Sequence, residues 1–136
     1  MISSGPMEDR LAIRELIESY NDAVMRFDGD AWQENWRDDA TWHLPGAGDL
    51  TGKEVFFAVW QQAMSGFSFV GFFASAGPII VDGDTATGTW YQQEVLHGKD
   101  GSKRLVTGRY DDEYVKVDGR WYFQKRIYDI LNTQDQ

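Results

Sequence analysis

The sequence predicts an α+β fold in which N-terminal helices pack on a curved, mainly antiparallel β-sheet that encloses a pocket, the outline of a half-open cone. Three observations lead there. Apolar residues recur at helical spacing in the first part of the chain. From about Phe69 onward the pattern changes to long β-rich runs. Those runs are separated by Asp82-Gly83, Lys99-Asp100-Gly101 and Asp118-Gly119, and Asp-Gly suits tight hairpin turns that need positive φ.

Taken in order, the first helix opens at Gly5-Pro6, with Gly5 as N-cap, Pro6 in the first helical position, and Glu8 and Asp9 at the positive end of the dipole. Ile13, Leu16, Ile17, Tyr20, Val24 and Phe27 make its apolar stripe, and Asp28-Gly29 ends it. A short second helix carries Trp32 and Trp36 on one face. Ala40 to Leu44 alternates as a brief strand, stopped by Pro45-Gly46. Thr51-Gly52-Lys53-Glu54 reads as a capping box for a helix with Phe56, Trp60, Ala63 and Phe67 on one stripe, Phe67 at its end or just past it. Four strands follow at 69–80, 84–96, 103–117 and 120–131, the first broken near Gly77-Pro78. Strands longer than the usual five or six residues must twist and bend, so this sheet can wrap around helices. One domain over 1–136 is expected, with 1–4 and 132–136 loose.

Composition narrows the function classes. Six Trp, six Tyr and eight Phe give either a dense core or a concave site with flat apolar walls. A formal charge of −9 argues against nucleic acid and anionic membranes as partners. There is no Cys, and His43 and His97 are the only histidines, so no metal is expected; acid–base chemistry in an enclosed pocket needs no cofactor, and none is expected. No stretch reads as a signal peptide or a membrane span, and the expected location is cytoplasmic.

Several segments carry a likeness to known proteins: Ala12-Ile13-Arg14-Glu15-Leu16-Ile17 with Tyr20, then Asp39-Ala40-Thr41-Trp42. Ile80-Val81-Asp82-Gly83-Asp84-Thr85-Ala86, Gly108-Arg109-Tyr110 and Asp118-Gly119-Arg120-Trp121 continue it. On these residues the chain resembles the NTF2-like superfamily over nearly its whole length, and within it the SnoaL-like branch of small polyketide cyclases and dehydratases. The resemblance implies the cone fold and a dimer. It says less about reaction, because the fold hosts isomerases, dehydratases, cyclases, epoxide hydrolases and proteins without chemistry. Many relatives have an acid where this chain has Met25. Many have a His where it has Phe73, and another where it has Asp111. Their familiar His/Asp apparatus is largely missing.

Asp111-Asp112-Glu113 puts three carboxylates inside a predicted strand, where Asp is disfavoured. Alternation sends Asp111 and Glu113 to one face and Asp112 to the other. Arg109 shares the face of Asp111, and the resemblance puts that face inside the cone. Asp111 is therefore the candidate acid or base, with Arg109 setting its charge; the alternative is an Arg109–Asp111 ion pair that only holds the sheet, or a solvated strand face. Tyr20, on the apolar stripe, is the candidate hydrogen-bond donor to a ligand carbonyl. Trp42, Trp60, Phe73, Met25, Trp90 and His43 are the expected pocket lining, with an exposed strand position as the alternative for His43. Trp90, Gln92 and Glu94 share one strand face that suits a polar-spotted cavity or an interface. The last strand is partly apolar on both faces, so a second copy is expected on the outer sheet face. The expected function is a cofactor-independent lyase or isomerase acting on a small hydrophobic carbonyl or polyketide-type molecule. A non-catalytic binder of such a molecule, or an accessory subunit, are the alternatives.

Overall fold

A computed structural model describes residues 1–136. Three helices, α1 (Met7–Met25), α2 (Gly29–Gln33) and α3 (Lys53–Met64), lie among six strands. The strands are β1 (Trp36–Leu44), β2 (Gly48–Thr51), β3 (Phe67–Asp82), β4 (Thr85–Gly98), β5 (Lys103–Val117) and β6 (Arg120–Asp135). They form one sheet in the order β2-β1-β6-β5-β4-β3. Only the β1–β6 pairing is parallel.

α1 buries the expected stripe, Ile13, Leu16, Ile17, Tyr20 and Val24, against the sheet. Near its start Asp9 accepts hydrogen bonds from Lys116 on β5 and Trp121 on β6, each at 3.0 Å, which ties the helix to the strands. Phe27 leaves the stripe because the helix has already ended. It takes a left-handed φ of 55°, while Phe27 N donates to Val24 O and Asp28 N to Ala23 O, closing the last turn.

The hairpins follow their turn residues. Asp118 and Gly119 have φ of 51° and 79°, as a two-residue turn with both central φ positive requires. At the first hairpin only Gly83, at 63°, is positive.

Local expectations are corrected at Trp36, at Thr51 and at the chain ends. Trp36 opens β1 instead of extending α2. Thr51 does not cap α3, because its hydroxyl is engaged with Thr41 across the β1–β2 pairing, a strand pair not anticipated from sequence. Gly52 stands at the N-cap of α3 without a side-chain bond. The ends are also more ordered than expected: Ser4 bridges Ile80, and β6 continues to Asp135 beside β5.

A cluster of 24 buried residues fills the space between helices and sheet. Aromatic rings dominate it; Trp32 stacks on Trp60 at 4.7 Å between centroids, and Trp36 lies 4.6 Å from Phe56 and 4.9 Å from Phe123. The two buried charges of this core meet at one place. Arg126 donates from Nε to Asp112 Oδ1 at 2.8 Å and from Nη2 to Oδ2 at 3.2 Å. Tyr114 donates to Asp112 Oδ2 at 2.7 Å and accepts from Trp90 Nε1 at 2.8 Å.

The face of Asp111 is therefore the reverse of that expected. Tyr110, Asp112 and Tyr114 point inward and are buried, so Arg109, Asp111 and Glu113 point outward. Asp111 is 41% exposed and pairs with Arg109 at 3.1 Å on the outer face. Breaking a buried ion pair leaves one charge stranded, whereas an exposed pair contributes little. Asp112→Ala should lose about 3–5 kcal/mol of unfolding free energy and Asp111→Ala less than about 1, measured by equilibrium urea unfolding. Equal losses at the two positions would contradict the assigned strand faces.

Candidate functional site

Between α1, α3 and the inner sheet face lies a hollow of about 180 Å³ lined by 14 residues, 13 of them hydrophobic. α1 contributes Tyr20 and Val24, β1 contributes Trp42 and Leu44, and α3 contributes Trp60, Ala63 and Met64. β3 adds Phe67, Val70 and Phe72, and the remaining wall is Glu94 and Leu96 of β4, Tyr110 of β5 and Tyr128 of β6. An apolar cavity of roughly 150 Å³ is large enough for benzene, so this one suits a single substituted ring.

Glu94 is the only charged residue in that lining. It reaches the pocket because β4 alternates, with Trp90 and Gln92 buried on the same face. Its carboxyl is pushed up to about 7 by burial alone, with no compensating cation. The residue is only half-buried, so a route to solvent remains. A carboxyl poised near neutrality can both take and return a proton at physiological pH.

Three phenols surround the same space. Burial raises the pKa of Tyr20, with Arg126, Trp32 and Tyr110 acting in the opposite direction and Glu94 adding to the rise. Burial likewise raises Tyr110 well above the ordinary value, and Tyr128 as well, with the charge of Glu94 contributing to both. All three stay protonated at neutral pH and serve as donors, not bases.

The sequence-predicted residues divide. Tyr20, Trp42 and Trp60 line this hollow together. Asp111 and Arg109 are outside it, on the far side of the sheet, where Asp111 also accepts from Thr89. Met25 and Phe73 are 39% and 62% exposed and face away from it, while their neighbours Val24 and Phe72 face in. Trp90 is buried but points to the Tyr114–Asp112 network and not into the hollow. His43 pairs with Asp49 at 2.8 Å on the outside of β1 and β2.

Glu94, Tyr110 and Tyr128 were not selected from sequence. For Glu94 the signal was its shared face with Trp90 and Gln92. Tyr128 was obscured by a bulge: Lys125 pairs with Glu113 and Phe123 with Tyr114, leaving Gln124 extra. That extra residue moves Arg126 and Tyr128 to the same face as Phe123.

The SnoaL-like domain family matches residues 6–127. The chain belongs to this family. Among solved structures, this SnoaL-like chain superposes on a type 2 hexachlorocyclohexane dehydrochlorinase (LinA) with a TM-score of 0.87 and 19% identity, covering 96% of this chain and 90% of that one. A protein provisionally described as an aromatic ring hydroxylase, from Novosphingobium aromaticivorans, gives 0.90 and 27% identity, over 98% and 96% of the two chains. Another from that organism, provisionally described as a scytalone dehydratase, gives 0.88 and 19%, over 96% and 89%. No curated protein matches the chain by sequence. The helices and the curved, mostly antiparallel sheet are thus those of the NTF2-like cone.

Ionising Glu94 inside this SnoaL-like fold opposes stability. Its folded pKa of about 7 lies above the ordinary 4.5, so the folded state holds more protons between those values and stability falls as pH rises through that window. Glu94→Gln should remove the penalty, raising unfolding free energy at pH 8 by at most about 3 kcal/mol and leaving it nearly unchanged at pH 4. Urea titrations of both proteins at the two pH values check this; an equal difference at both would argue against a buried ionising carboxyl.

Proposed function

We propose that the protein is a cofactor-independent lyase or isomerase that moves a proton on a small, single-ring hydrophobic carbonyl compound, with Glu94 as the acid–base group. The observation that carries this reading is the lone carboxyl of Glu94 in an otherwise apolar hollow, at a pKa of about 7 and with no paired cation. Such a group abstracts a proton α to a carbonyl, and the C–H electron pair moves onto the carbonyl oxygen as an enolate. A phenolic O–H lowers the energy of that oxyanion, most effectively where water is excluded. Collapse of the enolate then expels a β-substituent, or returns the proton from Glu94 to a different carbon. The two solved neighbours described as a dehydrochlorinase and, provisionally, a dehydratase support elimination as a chemistry that this cone accommodates.

Deuterium incorporation from D2O into a panel of monocyclic ketones tests the reading without knowing the final product. Glu94→Gln should reduce exchange at least about a hundredfold, and the wild-type rate should rise with pH through about 7 as the carboxylate forms. Full exchange by the variant would remove Glu94 from the chemistry; a ligand held without any exchange would favour a binding protein.

We also propose that a second copy of the chain covers the outer sheet face. Phe73 is 62% exposed and Tyr91 48% on that face. Arg109 beside Asp111 and Asp129 offers charges of both signs, as a two-fold interface needs. Light scattering at micromolar concentration should give a dimer, and Tyr91→Asp with Phe73→Glu should give a monomer; a wild-type monomer refutes the pairing.

A further inference from the structure

We propose that Tyr128 is the donor that contacts the substrate oxygen, and that Gln92 is the residue that positions it. This deepens the reading above and rests on it, since it takes the hollow around Glu94 to be the reacting space. Gln92 is 1% exposed, and its side-chain amide donates to the Tyr128 hydroxyl. The bond runs from β4 to β6 over the strand between them.

Crossing an intervening strand demands a gap, and Gly108 supplies it. Gly108 sits opposite Gln92 in the β4–β5 register. A Cβ there would lie 2.7 Å from Gln92 Nε2 and 2.8 Å from the Tyr128 hydroxyl oxygen, so any side chain would occupy the site of the bond. Its φ is not positive, and the glycine is therefore required by space and not by backbone conformation. The Tyr110 ring stacks on the Tyr128 ring at 4.7 Å and 28°, holding it from a further side.

A hydroxyl that accepts from an amide keeps its own proton to donate. Tyr128 lines the hollow, and so does Glu94, two residues beyond Gln92 on the inward face of β4. One substrate can therefore meet both groups, its carbonyl oxygen on Tyr128 and its acidic C–H on Glu94. Gln92 Oε1 is buried without a partner. An orphaned amide oxygen costs stability that an aliphatic side chain would avoid. Its retention fits a role in holding Tyr128 more than one in packing.

Binding of para-substituted phenols of graded acidity, measured by calorimetry, tests this. A phenol places its oxygen where the enolate oxygen forms and offers its proton to Glu94, so wild-type affinity should rise steeply with acidity. Tyr128→Phe should flatten that dependence, losing on the order of tenfold to a hundredfold for the most acidic phenol and little for the least. Gln92→Met, with Gln92→Leu as a second aliphatic variant, should flatten it in the same direction by a smaller amount.

A purely structural role would lower all affinities together and leave the slope intact. An unchanged slope in Tyr128→Phe overturns the donor assignment, an unchanged slope in both Gln92 variants overturns the positioning role, and absence of any saturable phenol binding by the wild type overturns both. Glu94→Gln separates this inference from the reading beneath it. If that variant loses deuterium exchange while Tyr128→Phe keeps the wild-type slope, only the donor assignment fails. If it retains exchange, the acid–base reading fails first.

Discussion

A single ion pair sealed beneath aromatic rings organises the inner face of this sheet. Asp112 and Arg126 are directly opposite in the β5–β6 register, both nearly inaccessible to solvent. The guanidinium lies 3.6 Å from the Tyr110 ring centroid and 4.6 Å from those of Tyr20 and Phe123. Burial works against both charges, raising the Asp112 pKa; on Arg126 burial is the largest single effect, but the Asp112 carboxylate together with Tyr20, Tyr110 and Tyr114 outweighs it, and the Arg126 pKa rises. Such a pair adds little net stability over a well-packed apolar substitute. What it supplies is specificity: a one-residue slip of either strand would send both charges to the wrong face.

The pair also determines what the pocket can be. Arg126 is absent from the pocket lining, held behind Tyr110 by its bonds to Asp112. The buried cation of the inner face is thus committed elsewhere, and Glu94 remains unpaired. Two carboxyls on adjacent inner strands acquire opposite characters through their surroundings, one locked in an ion pair and one left close to neutrality. Environments that separate titratable groups in this way are how a fold assigns structural and chemical work to similar side chains.

The backbone likeness to the solved neighbours is close, while identity to the dehydrochlorinase and to the provisionally described dehydratase is only 19%. Helices laid across a curved sheet produce the hollow whatever side chains line it. The lining then sets the chemistry, and here the positions inside are Val24 and Phe72 while Met25 and Phe73 face out. The ionisable function lies instead on β4, on a different wall of the same space. Fold membership therefore locates the cavity without deciding which groups line it.

Periodicity and turn chemistry made the helices and the four long strands legible in the sequence, because each is a local property: the stripe of α1, the Asp-Gly turns, the alternation around Trp42. The aromatic content left both a dense core and a concave site with flat apolar walls open; of the expected lining, Tyr20, Trp42 and Trp60 border the hollow. Strand parity was beyond reach. Which of Asp111 and Asp112 faces inward depends on the strands paired beside β5, and the extra residue at Gln124 that turns Arg126 and Tyr128 inward has no local signature. Glu94 illustrates the remainder: a glutamate on an amphipathic strand is unremarkable in sequence. Only packing of α1, α3 and the sheet around it, with Arg126 engaged elsewhere, makes it an acid that titrates near neutrality.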